Sequence, residues 1–161
     1  TDNGPNSGSA RVLSGADGDE LFTVNGDNLF DFFGSSVSGV GDVNGDGYHD
    51  LIVGAPESSP FPRDEDNKGY ARVLSGFDGT ELFTFDGDDL DDQFGTSVSG
   101  LDDINGDGIA DFVVGARNGG LNGGGYARVF LSQTVIPEPT AAALIALGGT
   151  LLLRRRIRLA E

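Results

Sequence analysis

Phe33-Gly-Ser-Ser-Val-Ser-Gly-Val-Gly-Asp42-Val-Asn-Gly-Asp-Gly-Tyr-His-Asp50-Leu-Ile-Val-Gly-Ala-Pro56 decides how this chain is read. It returns as Phe94-Gly-Thr-Ser-Val-Ser-Gly-Leu-Asp-Asp103-Ile-Asn-Gly-Asp-Gly-Ile-Ala-Asp111-Phe-Val-Val-Gly-Ala-Arg117. Extended outward, residues 8–56 align with 69–117 at a constant offset of 61, without gaps, and 32 of 49 positions are identical. A third, partial copy opens at Gly125-Tyr-Ala-Arg-Val-Phe130. A unit of this size that recurs in tandem cannot bury its faces alone, so it stacks on its neighbours.

Each unit holds four short runs of β-branched, small and aromatic residues bounded by Gly, Asp and Asn, the pattern of strands joined by turns. In the first unit they lie near 9–14, 20–24, 35–40 and 50–55. In the second they lie near 70–75, 81–85, 96–101 and 111–116, and a ninth is near 126–132. The fold class is therefore all-β, with tandem four-stranded antiparallel blades of a β-propeller over residues 1–134. A closed propeller needs at least about four blades. The repeats supply about two and a half, so the expectation is part of a longer propeller, or closure by other copies.

The segments 42–50 and 103–111 carry the chemistry. Asp42, Asn44, Asp46 and Asp50 stand at positions 1, 3, 5 and 9 of the first, and Asp103, Asn105, Asp107 and Asp111 at the same positions of the second. Tyr48 and Ile109, at position 7, can offer a backbone carbonyl. Glycines at positions 4 and 6 permit the left-handed backbone that such a curl needs. All these donors are hard oxygens, which suit Ca²⁺ rather than Zn²⁺ or Cu²⁺, while Mg²⁺ prefers fewer protein ligands and more water. The first five positions follow an EF-hand, but position 12 is Val53 or Val114 instead of Glu, and strands flank the loop instead of helices. An Asn-Gly turn without metal explains one such segment. It does not explain two that keep every side-chain donor while Tyr48/Ile109 and His49/Ala110 vary.

The order Phe-Gly, oxygen-rich loop, Gly-Ala(-Pro) resembles the FG-GAP repeat of integrin α-subunit propellers, and the likeness covers about residues 8–132. It implies one Ca²⁺ in a hairpin loop of each blade, two sites in all, with ligand roles falling on Asp42, Asn44, Asp46, Tyr48, Asp50, Asp103, Asn105, Asp107, Ile109 and Asp111. It also implies that the Phe-Gly strand is innermost and the Gly-Ala strand next. The first blade would then lack its inner pair, and the last its outer strand. Arg117 stands where the motif ends in Pro.

The formal charge of −16 comes from 26 acids against 10 bases, and four of the bases sit at 154–158. Such a body repels nucleic acid and anionic membrane and attracts cations. Without cysteine there is no disulfide, thiolate site or Cys nucleophile. The one histidine, His49, has Ala110 as its counterpart, and the serines show no nucleophile elbow, so no enzyme is expected. The alternative is a non-catalytic propeller fragment of a larger secreted hydrolase. Asp64-Glu-Asp66 reads as a solvated insertion.

Composition changes after Gln133. Pro137-Glu-Pro139 precedes fourteen uncharged residues, 140–153, and then Arg154-Arg-Arg-Ile-Arg158. A helix over 140–153 would be about 21 Å long against a hydrocarbon core of about 30 Å, so flanking arginines would have to extend its reach as a transmembrane helix. This order resembles the bacterial PEP-CTERM sorting signal. The resemblance implies a second segment, 135–161, with transient inner-membrane anchoring through 140–153 and processing by an exosortase-type enzyme. It places the protein in the cell envelope or outside the cell. Beginning at Thr1, the chain is expected to derive from a longer precursor. Its extracellular partner, protein or glycan, is not legible in the sequence.

Overall fold

The computed structural model describes residues 3–57 and 68–132. These form nine strands: β1 Ser9–Leu13, β2 Glu20–Asn25, β3 Ser36–Gly41, β4 Asp50–Ala55, β5 Tyr70–Leu74, β6 Glu81–Asp86, β7 Phe94–Gly100, β8 Phe112–Ala116 and β9 Tyr126–Phe130. All nine lie where the sequence predicts strands. They pair antiparallel into three sheets, β1-β2, β3-β4-β5-β6 and β7-β8-β9. The middle sheet is the complete four-stranded unit. The first sheet holds only the counterparts of β5 and β6, and the third only those of β3, β4 and β5. The hairpins even share a defect: register shifts at Val12/Leu13 in one and at Val73/Leu74 in the other. A 3-10 turn at Leu121–Gly123, inside the Gly-rich loop before β9, is an addition the sequence reading does not contain. The expected helix at 140–153 and the insertion at 64–66 lie outside the described residues. Among the described residues no helix is long and apolar enough to cross a membrane.

β4 and β5 are buried on both faces, and their side chains divide between two cores. Phe33, Val53, Ala55, Tyr70, Leu74 and Ala10 fill the space between the first and middle sheets. Ile52, Ala71, Val73, Phe94, Phe112 and Val114 fill that between the middle and third. Alternation of side chains along a strand explains the division, since neighbours in sequence face opposite sides. The second core is aromatic: Phe112 stacks on Phe130 at 5.1 Å between centroids, and Phe85 lies 4.2 Å from Phe130.

Two motif glycines set how closely the sheets approach. A Cβ on Gly54 would lie 2.0 Å from the Gly95 carbonyl oxygen of the next sheet. The Ser36 hydroxyl donates to that same carbonyl at 2.8 Å. Gly95 itself has φ +86°, and a Cβ there would lie 2.2 Å from the Tyr70 carbonyl oxygen. Phe-Gly and Gly-Ala therefore meet across the junction, and any side chain would push the backbones apart.

A polar hook closes each junction. The Tyr70 hydroxyl donates to Asp31 Oδ2 at 2.9 Å, and that oxygen also accepts the backbone N–H groups of Asp27 and Asn28. Arg72, nearly buried, reaches Asp27 Oδ2 at 2.6 Å and Glu81 at 2.9 Å, with its guanidinium 5.1 Å from the Tyr70 ring. The next junction repeats this. Tyr126 donates to Asp92 at 3.0 Å, and Arg128 pairs with Asp88 at 2.6 Å over the Phe94 ring. Burial foremost, and then the Asp31 carboxylate, push the Tyr70 hydroxyl well above its ordinary pKa. Burial also raises Tyr126.

Two outcomes follow. Gly95→Ala should lower stability in urea by more than about 2 kcal/mol, because it adds a clash to backbone strain. Gly18→Ala, at φ +83° but with nothing within 4 Å of the new Cβ, should cost about 1 kcal/mol. Equal losses would show that the junction is not close-packed at Gly95. The raised tyrosine pKa values contribute stability that is complete below about pH 10, the unfolded value, and is lost as pH climbs through the folded values. Melting points measured upward from neutrality should therefore fall steeply above about pH 10. Tyr70→Phe should melt lower at pH 7 yet decline less in alkali, since it has nothing to ionise there.

Candidate metal centre

Each oxygen-rich loop joins the first two strands of a sheet, β3 to β4 and β7 to β8. Its glycines take the left-handed backbone predicted for positions 4 and 6: Gly45 φ 79°, Gly47 φ 91°, Gly106 φ 80° and Gly108 φ 90°. That curl turns successive backbone N–H groups inward toward the first aspartate. Asp42 Oδ1 accepts from Gly45 N at 2.7 Å and Asp46 N at 3.1 Å, and Oδ2 accepts from Gly47 N at 2.9 Å. Asp103 does the same with Gly106 at 2.6 Å, Asp107 at 3.1 Å and Gly108 at 2.7 Å. Asn44 Oδ1 accepts from Asp46 N, Asp46 Oδ1 accepts from Tyr48 N, and Asn44 Nδ2 donates to Asp46 Oδ2. Asn105, Asp107 and Ile109 repeat all three bonds.

These donors have an electrostatic consequence. The N–H of Gly47 foremost, helped by those of Gly45 and Asp46, holds the Asp42 carboxyl below its ordinary pKa. Gly108 does the same for Asp103. Both carboxyls are thus favoured in the ionised form.

The ninth position differs from the others. Asn44 and Asp46 are exposed and Asp42 is half-buried, whereas Asp50 and Asp111 are 2% and 0% exposed. Asp50 Oδ2 accepts from Val43 N of its own loop at 2.9 Å, and Oδ1 from Gly76 N, just beyond β5, at 3.0 Å. Asp111 binds Ile104 N at 3.0 Å and Ser132 N, just beyond β9, at 2.9 Å. The structure therefore brings positions 1, 3 and 5 together at the loop surface and seats position 9 beneath them. Among the described residues no three Asp, Glu, His or Cys side chains converge on one point. The donor chemistry nonetheless fits a hard divalent cation: carboxylate and amide oxygens only, ionised, and open to a hydrated ion. Each carboxylate oxygen bonded to an N–H retains a second lone pair.

His49, at position 8 of the first loop, is exposed. The Tyr48 and Phe77 rings lie 5.0 Å apart at its edge. The hook residues Asp27, Asp31, Asp88 and Asp92 escape the motif reading, which treats these segments as turns. Their signal is the offset of 61, which keeps both aspartates of each pair, while the Tyr-Ala-Arg of the following strand recurs at 70–72 and 126–128, an offset of 56.

The FG-GAP repeat family model matches residues 33–74 and 94–130, which together hold β3–β5, β7–β9 and both loops. Integrin alpha-IIb of Mus musculus is 35% identical over 129 residues, spanning 74% of this chain and 12% of the relative. Integrin alpha-IIb of Homo sapiens is 36% identical over 121 residues, 71% of this chain and 12% of the relative. Integrin alpha-PS2 of Drosophila melanogaster is 33% identical over 133 residues, 78% and 10% respectively. The chain thus spans about a tenth of the length of these relatives. Residues 33–74 and 94–130 thus match the FG-GAP repeat, and the chain is similar to integrin alpha chains.

Proposed function

We propose that this protein is a non-enzymatic, calcium-binding repeat module that acts outside the cell in a structural or adhesive role, with one Ca²⁺ in each of the loops 42–50 and 103–111. One observation carries the reading. Two loops that differ in sequence at Val43/Ile104, Tyr48/Ile109 and His49/Ala110 keep the same side-chain donors and the same hydrogen bonds. A plain turn has no need of that fidelity. The likeness to integrin alpha chains supports a repeat module, and the charge of −16 supports a cation as its first ligand.

In this reading Asp42, Asn44, Asp46 and the Tyr48 carbonyl hold the first ion, and Asp103, Asn105, Asp107 and the Ile109 carbonyl hold the second. Asp50 and Asp111 complete the sets from beneath. A bound cation cancels repulsion between the loop carboxylates and stiffens the hairpin. The protein's own contribution is preorganisation: glycine curls and inward N–H groups fix the first aspartate before any ion arrives. Residues 135–161 are read as a PEP-CTERM-type sorting signal, with 140–153 in the inner membrane during export and an exosortase-type enzyme as partner. A protein or glycan outside the cell is the ligand class of the module.

Calorimetry should record Ca²⁺ uptake at two sites, weaker uptake of Mg²⁺, and the loss of one site each in Asp46→Ala and Asp107→Ala. At a free calcium concentration a hundredfold above Kd, mass action adds about 2.7 kcal/mol of stability per site, a rise in melting temperature on the order of 5–10 °C for each ion. Superimposable melting curves in calcium and in chelator would overturn the assignment.

A further inference from the structure

Gly76 and Ser132 occupy the same place in the repeat, two residues beyond the end of β5 and of β9. Each gives its backbone N–H to the buried ninth aspartate of the loop in its own sheet, Gly76 to Asp50 at 3.0 Å and Ser132 to Asp111 at 2.9 Å. The second loop adds a bond. Asn105 Nδ2 donates to the Ser132 carbonyl oxygen at 3.2 Å. Both polar backbone groups of Ser132 are thus held by side chains of one loop, and among the described residues these are the hydrogen bonds Ser132 makes.

The two sheets use this grip differently. Beyond Gly76 the chain turns and returns as β6, which the ladder with β5 holds in place. Among the described residues no strand follows β9, and the chain beyond Ser132 leads into residues 133–161.

We propose that the loop 103–111 is a clasp on the root of the C-terminal segment, and that ion occupancy of the loop sets the strength of its grip. The inference rests on the calcium reading given above. Asn105 sits in both parts of the device: its Oδ1 belongs to the proposed donor set and its Nδ2 holds Ser132. The two atoms share one planar amide, so fixing the oxygen fixes the direction in which the N–H group points. Asp111 links the same parts, with Oδ2 on the loop backbone at Ile104 and Oδ1 on Ser132. Asn105 and Asp111 are positioning residues for Ser132, and the clasp governs how firmly the backbone at Ser132 is held.

Hydrogen exchange followed by mass spectrometry on the full chain, with calcium and with chelator, tests this beside calorimetry on the same samples. Calcium should slow exchange at the Ser132 amide, and proteolysis just after it, by about tenfold, the scale of one net hydrogen bond. Asn105→Asp keeps an oxygen for the ion but turns an acceptor toward the Ser132 carbonyl. Compared with the parent at calcium concentrations that calorimetry shows to saturate each protein, it should lose that protection. Asn44→Asp, whose amide donates to Asp46 instead of to the chain beyond the strand, should leave Ser132 as in the parent. Calcium uptake at both loops with unchanged exchange at Ser132 would overturn the clasp and leave the calcium reading standing. Full protection in Asn105→Asp would also overturn it. Absence of calcium uptake would overturn both.

Discussion

Close backbone contact between successive sheets is the constraint on which the rest of this molecule depends. At the Gly54–Gly95 junction a carbonyl oxygen occupies the space a side chain would need, and both positions are glycine. At that spacing Ile52, Val73 and Phe112 bury completely or nearly so, and β4 and β5 lose solvent on both faces. An isolated four-stranded sheet would expose one face or the other of those strands. The stability of each sheet is therefore shared with its neighbours, as nearest-neighbour repeat architectures require. The exposed Leu13 and Leu21 on the first sheet, 52% and 61% accessible, show what a strand pair looks like without the same cover.

Much of this was legible in sequence, for identifiable reasons. Strand positions followed from β-branched runs between Gly, Asp and Asn, and strand order followed from the repeat. The curl of the loops followed from glycines at fixed places, because φ near +80° is open to glycine and costly for other residues. The hook was not legible. Asp31 and Asp92 lie in segments with the composition of ordinary turns, and only the fold brings Tyr70 and Tyr126 to them from 39 and 34 residues away in sequence. The burial of Asp50 and Asp111 was equally hidden. A count of oxygen donors treats positions 1, 3, 5 and 9 alike, whereas the ninth opens the strand, as Asp50, or directly precedes it, as Asp111, and is buried where backbone N–H groups claim it. Residues 133–161, read from composition and from a resemblance to a sorting signal, lie outside the described residues.

The hook is also uneven along the chain. Arg72 and Arg128 each reach an aspartate of the preceding sheet's loop. Their counterpart Arg11 pairs with Glu20 of its own hairpin at 3.2 Å and is 61% exposed, and Ser9 stands where the later repeats have Tyr70 and Tyr126. Exposed pairs of this sort contribute about 0–1 kcal/mol. The Arg72 site differs because removing Asp27, itself 55% exposed, would leave the nearly buried Arg72 guanidinium with Glu81 as its remaining ion-pair partner.

The two ends of the middle sheet solve the same electrostatic problem in opposite ways. At the end where β5 begins, the acids of the 26–31 segment face Tyr70 and Arg72, and the protein supplies its own cation. At the end where β5 finishes, Asp42, Asp46 and Asp50 gather within nine residues, and among the described residues no Lys or Arg pairs with them. Backbone N–H groups supply partial positive charge there, enough to keep Asp42 ionised but not to cancel three carboxylates. The third sheet repeats the asymmetry with Arg128 at one end and Asp103, Asp107 and Asp111 at the other. The chain thus places an arginine at both sheet junctions and, among the described residues, pairs none with either hairpin tip. The calcium proposal rests on that asymmetry: hard oxygens on a glycine-curled backbone suit a calcium-like ion, which tolerates irregular coordination angles.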